Sequence, residues 1–218
     1  ICTIPCIGLH SSSSVSTGYC FGLGGGQALA NPHDSPDGLH LCAGNPRLLT
    51  IASYGMSSMP FMTTWIVPGT QQMVYLREQP LEVFSRYVQD GIDSTEAGGI
   101  LLGYVRGEHL EIIEATEPSF WDRRFRFLFE RMPYFHHRLA MKRWRESNGL
   151  VRYIGEWHTH PQGCPTPSSL DLKEWQALAA DRIDGRPLLA LIVGWDDLHV
   201  EYVSSTGKRR ALEHAHLS

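Results

Sequence analysis

Two apolar runs in the middle of the chain are separated by only three residues. GGILLGYV (98–105) and HLEIIEAT (109–116) flank the short segment RGE. Runs of this length that are rich in isoleucine, leucine and valine predict β-strands, and a three-residue connection containing glycine predicts an antiparallel hairpin. PLLALIVGW (187–195) and LHVEYVSS (198–205) repeat the arrangement around two aspartates. The chain is therefore constrained to fold around a largely antiparallel sheet.

Helical spacing of apolar residues appears between and beside these hairpins. It predicts helices at 80–92, with Gly91 as a stop signal, at 133–147 and at 168–182. The inward faces are predicted to hold Phe135, Leu139, Ala140 and Trp144 in the second helix and Leu172, Trp175, Leu178 and Ala179 in the third. Short strands are predicted at 73–76 and 151–160, and the arginine-rich stretch 117–131 is predicted to be irregular. The pattern indicates an α/β fold with a mixed, largely antiparallel sheet flanked by helices.

The first sixty residues differ in composition from the rest. Their charged residues are Asp34, Asp37 and Arg47, and glycine, serine and proline dominate. Such a composition buries too little apolar surface to offset the entropy of ordering. GLGGGQ departs from the dinucleotide-binding fingerprint, and the four cysteines of this segment include no C-x-x-C pair. We expect 1–60 to be a disordered leader and 61–218 to be the functional domain, with Met62 as a natural beginning.

The overall charge excludes some classes of partner. The formal net charge is −4 and the pI about 6.3, which does not favour nucleic acid or acidic membranes. No run of eighteen apolar residues and no signal-peptide pattern is present, so the expected location is the cytoplasm. The segment 121–146 nevertheless holds eight Lys or Arg against three acids. This segment is either a solvated helix face or a positive wall that docks an acidic protein partner.

The segment GEWHTHPQGCPTPSSLD (155–171) carries the candidate chemistry. Because alternate side chains of a strand share a face, Glu156, His158 and His160 should point the same way. Two imidazoles and a carboxylate suit zinc, and three protein ligands leave the fourth position open, as in catalytic sites. Each half of the pattern also has a structural explanation. Ser168 and Asp171 fit a helix capping box in outline, and the C-terminal tail repeats H-x-H at 214–216.

The combined pattern resembles the signature of the JAMM metalloproteases, the zinc-dependent class of MPN (JAB) domains. The residues fit H-x-H-x(7)-S-x-x-D, and TEAGGILLG supplies the upstream glutamate, Glu96. The resemblance covers about residues 70–205 and implies the MPN (JAB) fold. It also implies that His158, His160 and Asp171 hold Zn²⁺, that Glu96 is the general base for the attacking water, and that Ser168 hydrogen-bonds the oxyanion.

Rival assignments remain for single residues. Glu156 shares a face with both histidines and is an alternative base, although its closeness to His158 favours a supporting role. Cys164 would need a base beside it to act as a nucleophile, and the neighbouring histidines are better explained as ligands. A zinc deaminase would need H-x-E and P-C-x-x-C, which this chain lacks. His109, His136, His137 and His199 are interpreted as surface or partly buried residues.

Within the family, GEWHTHP and the spacing to Trp175 look most like bacterial members from integrative elements and CBASS antiphage operons. The resemblance implies an isopeptidase that removes a conjugated protein from its target, beside E1-like and E2-like proteins of the same operon. A JAMM peptidase that trims a ubiquitin-like or sulfur-carrier protein is one alternative. A non-catalytic MPN scaffold is the other, but such relatives typically lose ligands that this chain keeps.

Overall fold

The computed structural model describes residues 61–215. Three helices and eleven strands occur in this part of the chain. They are β1 (Thr64–Ile66), β2 (Met73–Leu76), α1 (Glu78–Tyr87), β3 (Gly98–Arg106), β4 (His109–Ala115), β5 (Arg123–Phe125), β6 (Leu128–Glu130), α2 (Pro133–Glu146), β7 (Arg152–Thr159), α3 (Ser169–Ala180), β8 (Leu188–Val193), β9 (Leu198–Val203), β10 (Arg209–Ala211) and β11 (Glu213–His214).

Nine strands form one mixed sheet, in the order β10-β9-β8-β7-β3-β4-β2-β1-β11. The β2–β4 and β7–β8 pairs are parallel, and the other pairs are antiparallel. Only Leu212 separates the strands β10 and β11 that occupy the two ends of this order. Its N–H donates to the Val200 carbonyl (2.8 Å), and the N–H of Ala215 donates to the Thr64 carbonyl (3.0 Å). One chain segment therefore joins both edges of the sheet.

The two faces of β8 show how the helices are placed. Leu189, Leu191 and Val193 pack into the main core with α1 and the β7 residue Trp157, whereas Leu188, Ala190 and Ile192 pack against α3. Because both faces of β8 are covered, the strand is a continuous apolar run, as expected for a central strand. The helix α2 covers a third cluster beside β3, so the helices lie against the sheet as the sequence predicts.

Most predicted elements are confirmed, including both hairpins, the three helices and the strand at 151–160. Four predictions are wrong in detail. The first helix ends at Tyr87, before Gly91. The segment 117–131 contains a hairpin, β5–β6, where an irregular stretch was predicted. On α2, Phe135, predicted to face inward, is exposed, whereas His136, interpreted as a surface or partly buried residue, is fully buried. The predicted leader, residues 1–60, lies outside the described residues.

No helix between residues 61 and 215 is both long and apolar enough to cross a membrane. The H-x-H repeat of the tail falls partly outside this range. Its first histidine, His214, pairs with Asp197 (Nε2 to Oδ1, 3.0 Å) and packs edge-on against Trp65. His214 is therefore explained by its structural contacts with Asp197 and Trp65.

Candidate metal centre and active site

The end of β7 delivers the two histidines. Strand alternation sends Trp157 and Thr159 into the interior, where both are buried, and leaves His158 on the opposite face. His160 follows the strand, and its N–H donates to the Val193 carbonyl (2.9 Å), which extends the pairing with β8 by one residue. The two Nε2 atoms lie 3.1 Å apart. The sequence prediction that these rings share a face is confirmed.

Asp171 reaches the histidines from the first turn of α3. Its Oδ1 lies 3.4 Å from Nε2 of His158, and its Oδ2 lies 3.4 Å from Nε2 of His160. The same carboxylate accepts the N–H of Ser168 (2.6 Å), while Oγ of Ser168 accepts the N–H of Asp171 (3.2 Å). A complete capping box is therefore present, with aspartate in the place usually taken by glutamate or glutamine. The Asp171 side chain thus completes the helix cap and also lies beside both histidines.

Glu96 enters the same cluster from the segment that precedes β3. Its side chain is 7% exposed, and Oε1 lies 3.4 Å from Nε2 of His160. Burial raises the pKa of Glu96 to about 7. The His160 ring opposes this rise, and the nearby acids Asp171 and Glu174 add to it. A carboxyl group that titrates near neutral pH is suited to take up and release a proton.

The hairpin β5–β6 fixes the backbone around Glu96. The N–H of Glu96 donates to the Phe125 carbonyl (2.7 Å), and Arg124 donates from Nε to the Glu96 carbonyl (2.8 Å). The ring of Phe129 covers Gly98, where a Cβ would come within 2.6 Å of Cδ1. Only glycine tolerates this approach, which explains the glycine that follows Glu96 by two positions. Sequence analysis missed this hairpin, although the alternating phenylalanines of FRFLFE (125–130) could have indicated strand structure.

Two side chains of the cluster, Asp171 and His158, have the protonation states that bind a cation. Burial alone would raise the pKa of Asp171, but hydrogen bonds from His158 and His160 hold it far below its usual range. Burial lowers the pKa of His158, so that its ring is neutral at pH 7, the form that binds metals. Asp171 therefore presents a carboxylate and His158 a neutral nitrogen.

The distances between donor atoms also fit a metal ion. Tetrahedral coordination with bonds of about 2.0–2.2 Å places ligand atoms about 3.3–3.6 Å apart. The His158, His160 and Asp171 donors are separated by 3.1 and 3.4 Å. A second set shares both histidines, because donor atoms of Glu96, His158 and His160 all lie within 4.8 Å of one another. The residues present fit zinc, with Asp171 and Glu96 competing for the third ligand position.

Glu156, the alternative base, is engaged elsewhere. Its Oε1 accepts from Arg131 (2.9 Å) and from the Tyr153 hydroxyl (2.5 Å). Burial raises the pKa of Glu156, and the Arg131 guanidinium and the Tyr153 hydroxyl oppose that rise. These bonds give Glu156 a structural role, so its presence beside the site does not require it to accept a proton in the reaction.

The cluster opens into a cavity of about 800 Å³ between α3 and the β5–β6 hairpin. Its wall includes all five residues of the predicted site and, from the arginine-rich segment, Arg131. Cys164 is exposed on the loop that follows His160 and is not one of the lining residues. The cavity therefore gives an outside molecule access to Glu96, Ser168 and the two histidines.

Comparisons with known proteins identify the family of the chain. The family model described as prokaryotic homologs of the JAB domain (Prok-JAB) matches residues 84–210. Three similar proteins are each named CD-NTase/cGAS isopeptidase. The Pseudomonas aeruginosa protein is 47% identical over 150 residues, which cover 69% of this chain and 95% of that protein. The Escherichia coli protein is 40% identical over 114 residues (52% and 71%), and the Vibrio cholerae protein is 35% identical over 102 residues (47% and 64%).

The match confirms the resemblance and the fold predicted from the signature. It spans more than half of the chain and includes the elements that carry Glu96, His158, His160 and Asp171. The mixed sheet and its three helices are those expected of a JAB-like domain. The chain therefore belongs to the family of prokaryotic homologs of the JAB domain.

Proposed function

We propose that this protein is a zinc-dependent isopeptidase that hydrolyses the amide linking the C-terminus of one protein to another. One observation carries the proposal. The donor atoms of His158, His160 and Asp171 lie 3.1–3.4 Å apart on the wall of an open cavity. Beside them lies Glu96, whose pKa burial raises to about 7. His158, His160 and Asp171 would hold zinc, which when bound supplies Lewis-acid chemistry that polarises a carbonyl and brings the pKa of water to about 7.

Proton transfer is assigned to Glu96. Its carboxylate takes a proton from the attacking water, whose oxygen forms the new bond to the amide carbon. The same carboxyl group then gives the proton to the leaving nitrogen as the C–N bond breaks. The products are a free carboxylate and a free amine, with no covalent enzyme intermediate. The burial that raises the pKa of Glu96 supports this role, since both transfers need a group near neutrality.

Ser168 is assigned to the oxyanion that forms during attack. Its Oγ accepts one hydrogen bond, from the Asp171 N–H, so the hydroxyl hydrogen can still be donated. Ser168 also lines the cavity. A positioned donor that meets charge only in the transition state accelerates the reaction without tightening substrate binding.

A protein conjugate is the proposed substrate. The relatives are named CD-NTase/cGAS isopeptidase, and this name supports removal of a conjugated protein from a CD-NTase target. We place the activity in the bacterial cytoplasm, in an antiphage conjugation system that also supplies E1-like and E2-like proteins. Domain 61–218 would carry this activity.

The surface beside the cavity supports a protein partner. Four aromatic side chains between residues 120 and 134 are each at least 70% exposed, namely Phe120, Trp121, Phe127 and Tyr134. Arginines are interleaved with them in the sequence, including Arg123 and Arg126. Exposed aromatic groups with arginine are enriched at protein interfaces. These observations favour the docking explanation of the arginine-rich segment over a merely solvated helix face.

The test uses the purified full-length chain. We expect one zinc ion per chain by elemental analysis and cleavage of an isopeptide-linked CD-NTase conjugate that stops when a chelator removes the metal. The matched control is a His158→Ala, His160→Ala double variant, which should hold no zinc and cleave nothing. Bound zinc with no cleavage of any conjugate would refute the enzyme and favour a binding scaffold.

A further inference from the structure

A buried glutamine, Gln89, lies behind the site, in the segment that follows α1. It is 1% exposed and makes three side-chain hydrogen bonds, so that the whole amide is engaged. Oε1 accepts from the Thr159 hydroxyl (2.9 Å). Nε2 donates to the Arg126 carbonyl (3.0 Å) and to the Ser94 carbonyl (3.3 Å). The backbone carbonyl of Gln89 accepts a hydrogen bond from Nε1 of Trp195 (2.7 Å).

The residues bonded to Gln89 are the chain neighbours of the site. Thr159 lies between the two candidate ligands, His158 and His160. Its hydroxyl also accepts the N–H of Ala97 (3.0 Å), the residue next to Glu96, and its N–H donates to the Ala97 carbonyl (2.8 Å). Ser94 lies two residues before Glu96. One side chain thus connects the backbone that carries the candidate base to the backbone that carries both histidines.

Arg126 extends the connection to the cavity wall. It stands in the turn between β5 and β6, the hairpin whose Phe125 carbonyl accepts the Glu96 N–H. Trp195 belongs to the turn between β8 and β9, beside the strand that pairs with β7. Four segments therefore converge on Gln89, which is not itself one of the residues that line the cavity.

We propose that Gln89 is a positioning residue that fixes Glu96 relative to His158 and His160. The inference deepens the proposed function, because it concerns the same site. An amide is required, since Thr159 needs an acceptor and two carbonyls need donors at the same point. A leucine at this position leaves the Thr159 hydroxyl hydrogen without its acceptor and removes the donor from two partly buried carbonyls, and the segments are then free to shift. A shift of about 1 Å in a catalytic group is enough to cost roughly 10²-fold in rate.

A second glutamine, Gln79, provides a control for the loss of side-chain bonds to backbone. Gln79, in α1, also uses its amide to bond backbone, donating to the Ala115 carbonyl (3.2 Å) and accepting the Ala115 N–H (2.8 Å). These bonds reach the end of β4 and none of the segments that carry Glu96, His158 or His160. A Gln79→Leu change therefore removes the same chemistry from the fold at a place where it positions no site residue.

The experiment compares full-length Gln89→Leu, Thr159→Val, Thr159→Ser and Gln79→Leu with the wild type. Two sets of measurements are made on the folded protein. The first is the affinity and absorption spectrum of bound Co²⁺, a spectroscopic probe for the zinc site, and the second is kcat and KM for an isopeptide-linked conjugate. We expect Gln89→Leu and Thr159→Val to lower Co²⁺ affinity and kcat by about 10–100-fold, with KM little changed. Thr159→Ser keeps the hydroxyl and should therefore keep Co²⁺ affinity and kcat near the wild-type values. Gln79→Leu should alter thermal stability alone.

The proposal is overturned if Gln89→Leu behaves as Gln79→Leu does, with lower stability but an unchanged Co²⁺ spectrum and kcat. If Gln89→Leu does not fold, the comparison of Thr159→Val with Thr159→Ser decides, and equal values for these two overturn the proposal. If the wild type binds metal but cleaves no conjugate, the proposed function fails. The Co²⁺ measurements then still decide the role of Gln89.

Discussion

Replacing Asp171 separates the two roles that this side chain holds in the structure. Asp171→Ala removes both the acceptor for the Ser168 N–H (2.6 Å) and the oxygen atoms that lie 3.4 Å from the two histidines. Asp171→Asn keeps a neutral acceptor that can still receive the Ser168 N–H, but it removes the negative charge offered to the cation. The pair of variants therefore distinguishes the cap from the ligand.

The magnitudes follow from these contacts. Loss of a helix cap costs about 0.5–2 kcal/mol, so Asp171→Ala should destabilise the metal-free protein by about 1 kcal/mol relative to Asp171→Asn. Loss of a partner that merely orients a ligand costs roughly 10–100-fold in metal affinity, so loss of a ligand should cost at least about 100-fold in both variants. Urea unfolding in the presence of a chelator measures the first quantity, and competition with a chromophoric zinc chelator measures the second.

A contrary result is informative. If Asp171→Ala keeps wild-type zinc affinity and loses only stability, the aspartate is a cap alone. The ligand set would then be Glu96, His158 and His160, whose donor atoms also lie within 4.8 Å of one another. In that event Glu96 could not serve as the free base, and the proposed mechanism would be wrong.

The remaining predictions concern the two other carboxylates and the first sixty residues. Because burial raises the pKa of Glu96 to about 7 from its ordinary 4.5, the folded metal-free protein binds more protons than the unfolded chain between these values, and its stability should fall as pH rises through that window. Glu96→Gln removes this effect and should stabilise the metal-free protein more at pH 8 than at pH 4.5, by up to about 3 kcal/mol in urea unfolding; a pH-independent difference would contradict the assigned environment. Glu156→Gln should keep zinc and lower kcat less than tenfold, because this carboxylate bonds Arg131 and Tyr153 and carries no proton of the reaction; an inactive, zinc-loaded variant would identify it as the base. A chain shortened to residues 61–218, which keeps the buried Phe61, should fold and bind zinc as the full chain does, and insolubility or zinc loss in the shortened chain alone would show that the first sixty residues belong to the fold.

Short-range sequence patterns predicted the parts of the fold that local chemistry determines. The apolar runs at 98–116 and 187–205 specify hairpins, and alternation along 151–160 places His158 and His160 on one face. The contacts that complete the site join residues far apart in sequence. Glu96 and His160 are separated by 64 positions, and their contact depends on the pairing of β3 with β7, in which Gly98 lies opposite His158. No periodicity carries that register, so only the family signature indicated Glu96.

Buried polar residues account for the other differences. His136 was interpreted as a surface or partly buried residue, yet its ring bonds Thr116 (2.6 Å) and Asp122 (3.1 Å) and is fully buried. Asp122 in turn accepts the N–H groups of Ser119 and Met132, which holds both ends of the segment that carries the β5–β6 hairpin. A polar residue is stable inside a protein when every group finds a partner, and those partners are set by tertiary structure. Composition therefore predicted an irregular stretch where the fold builds a wall of the cavity.

The central claim is that Glu96 carries the proton of amide hydrolysis beside a zinc ion held by His158, His160 and Asp171. The most direct measurement is single-turnover cleavage of an isopeptide-linked conjugate by Glu96→Gln, with zinc content determined on the same sample. We predict that one zinc ion per chain is retained and that the cleavage rate falls roughly 10²–10⁴-fold. A zinc-loaded Glu96→Gln variant that cleaves at the wild-type rate would contradict the account.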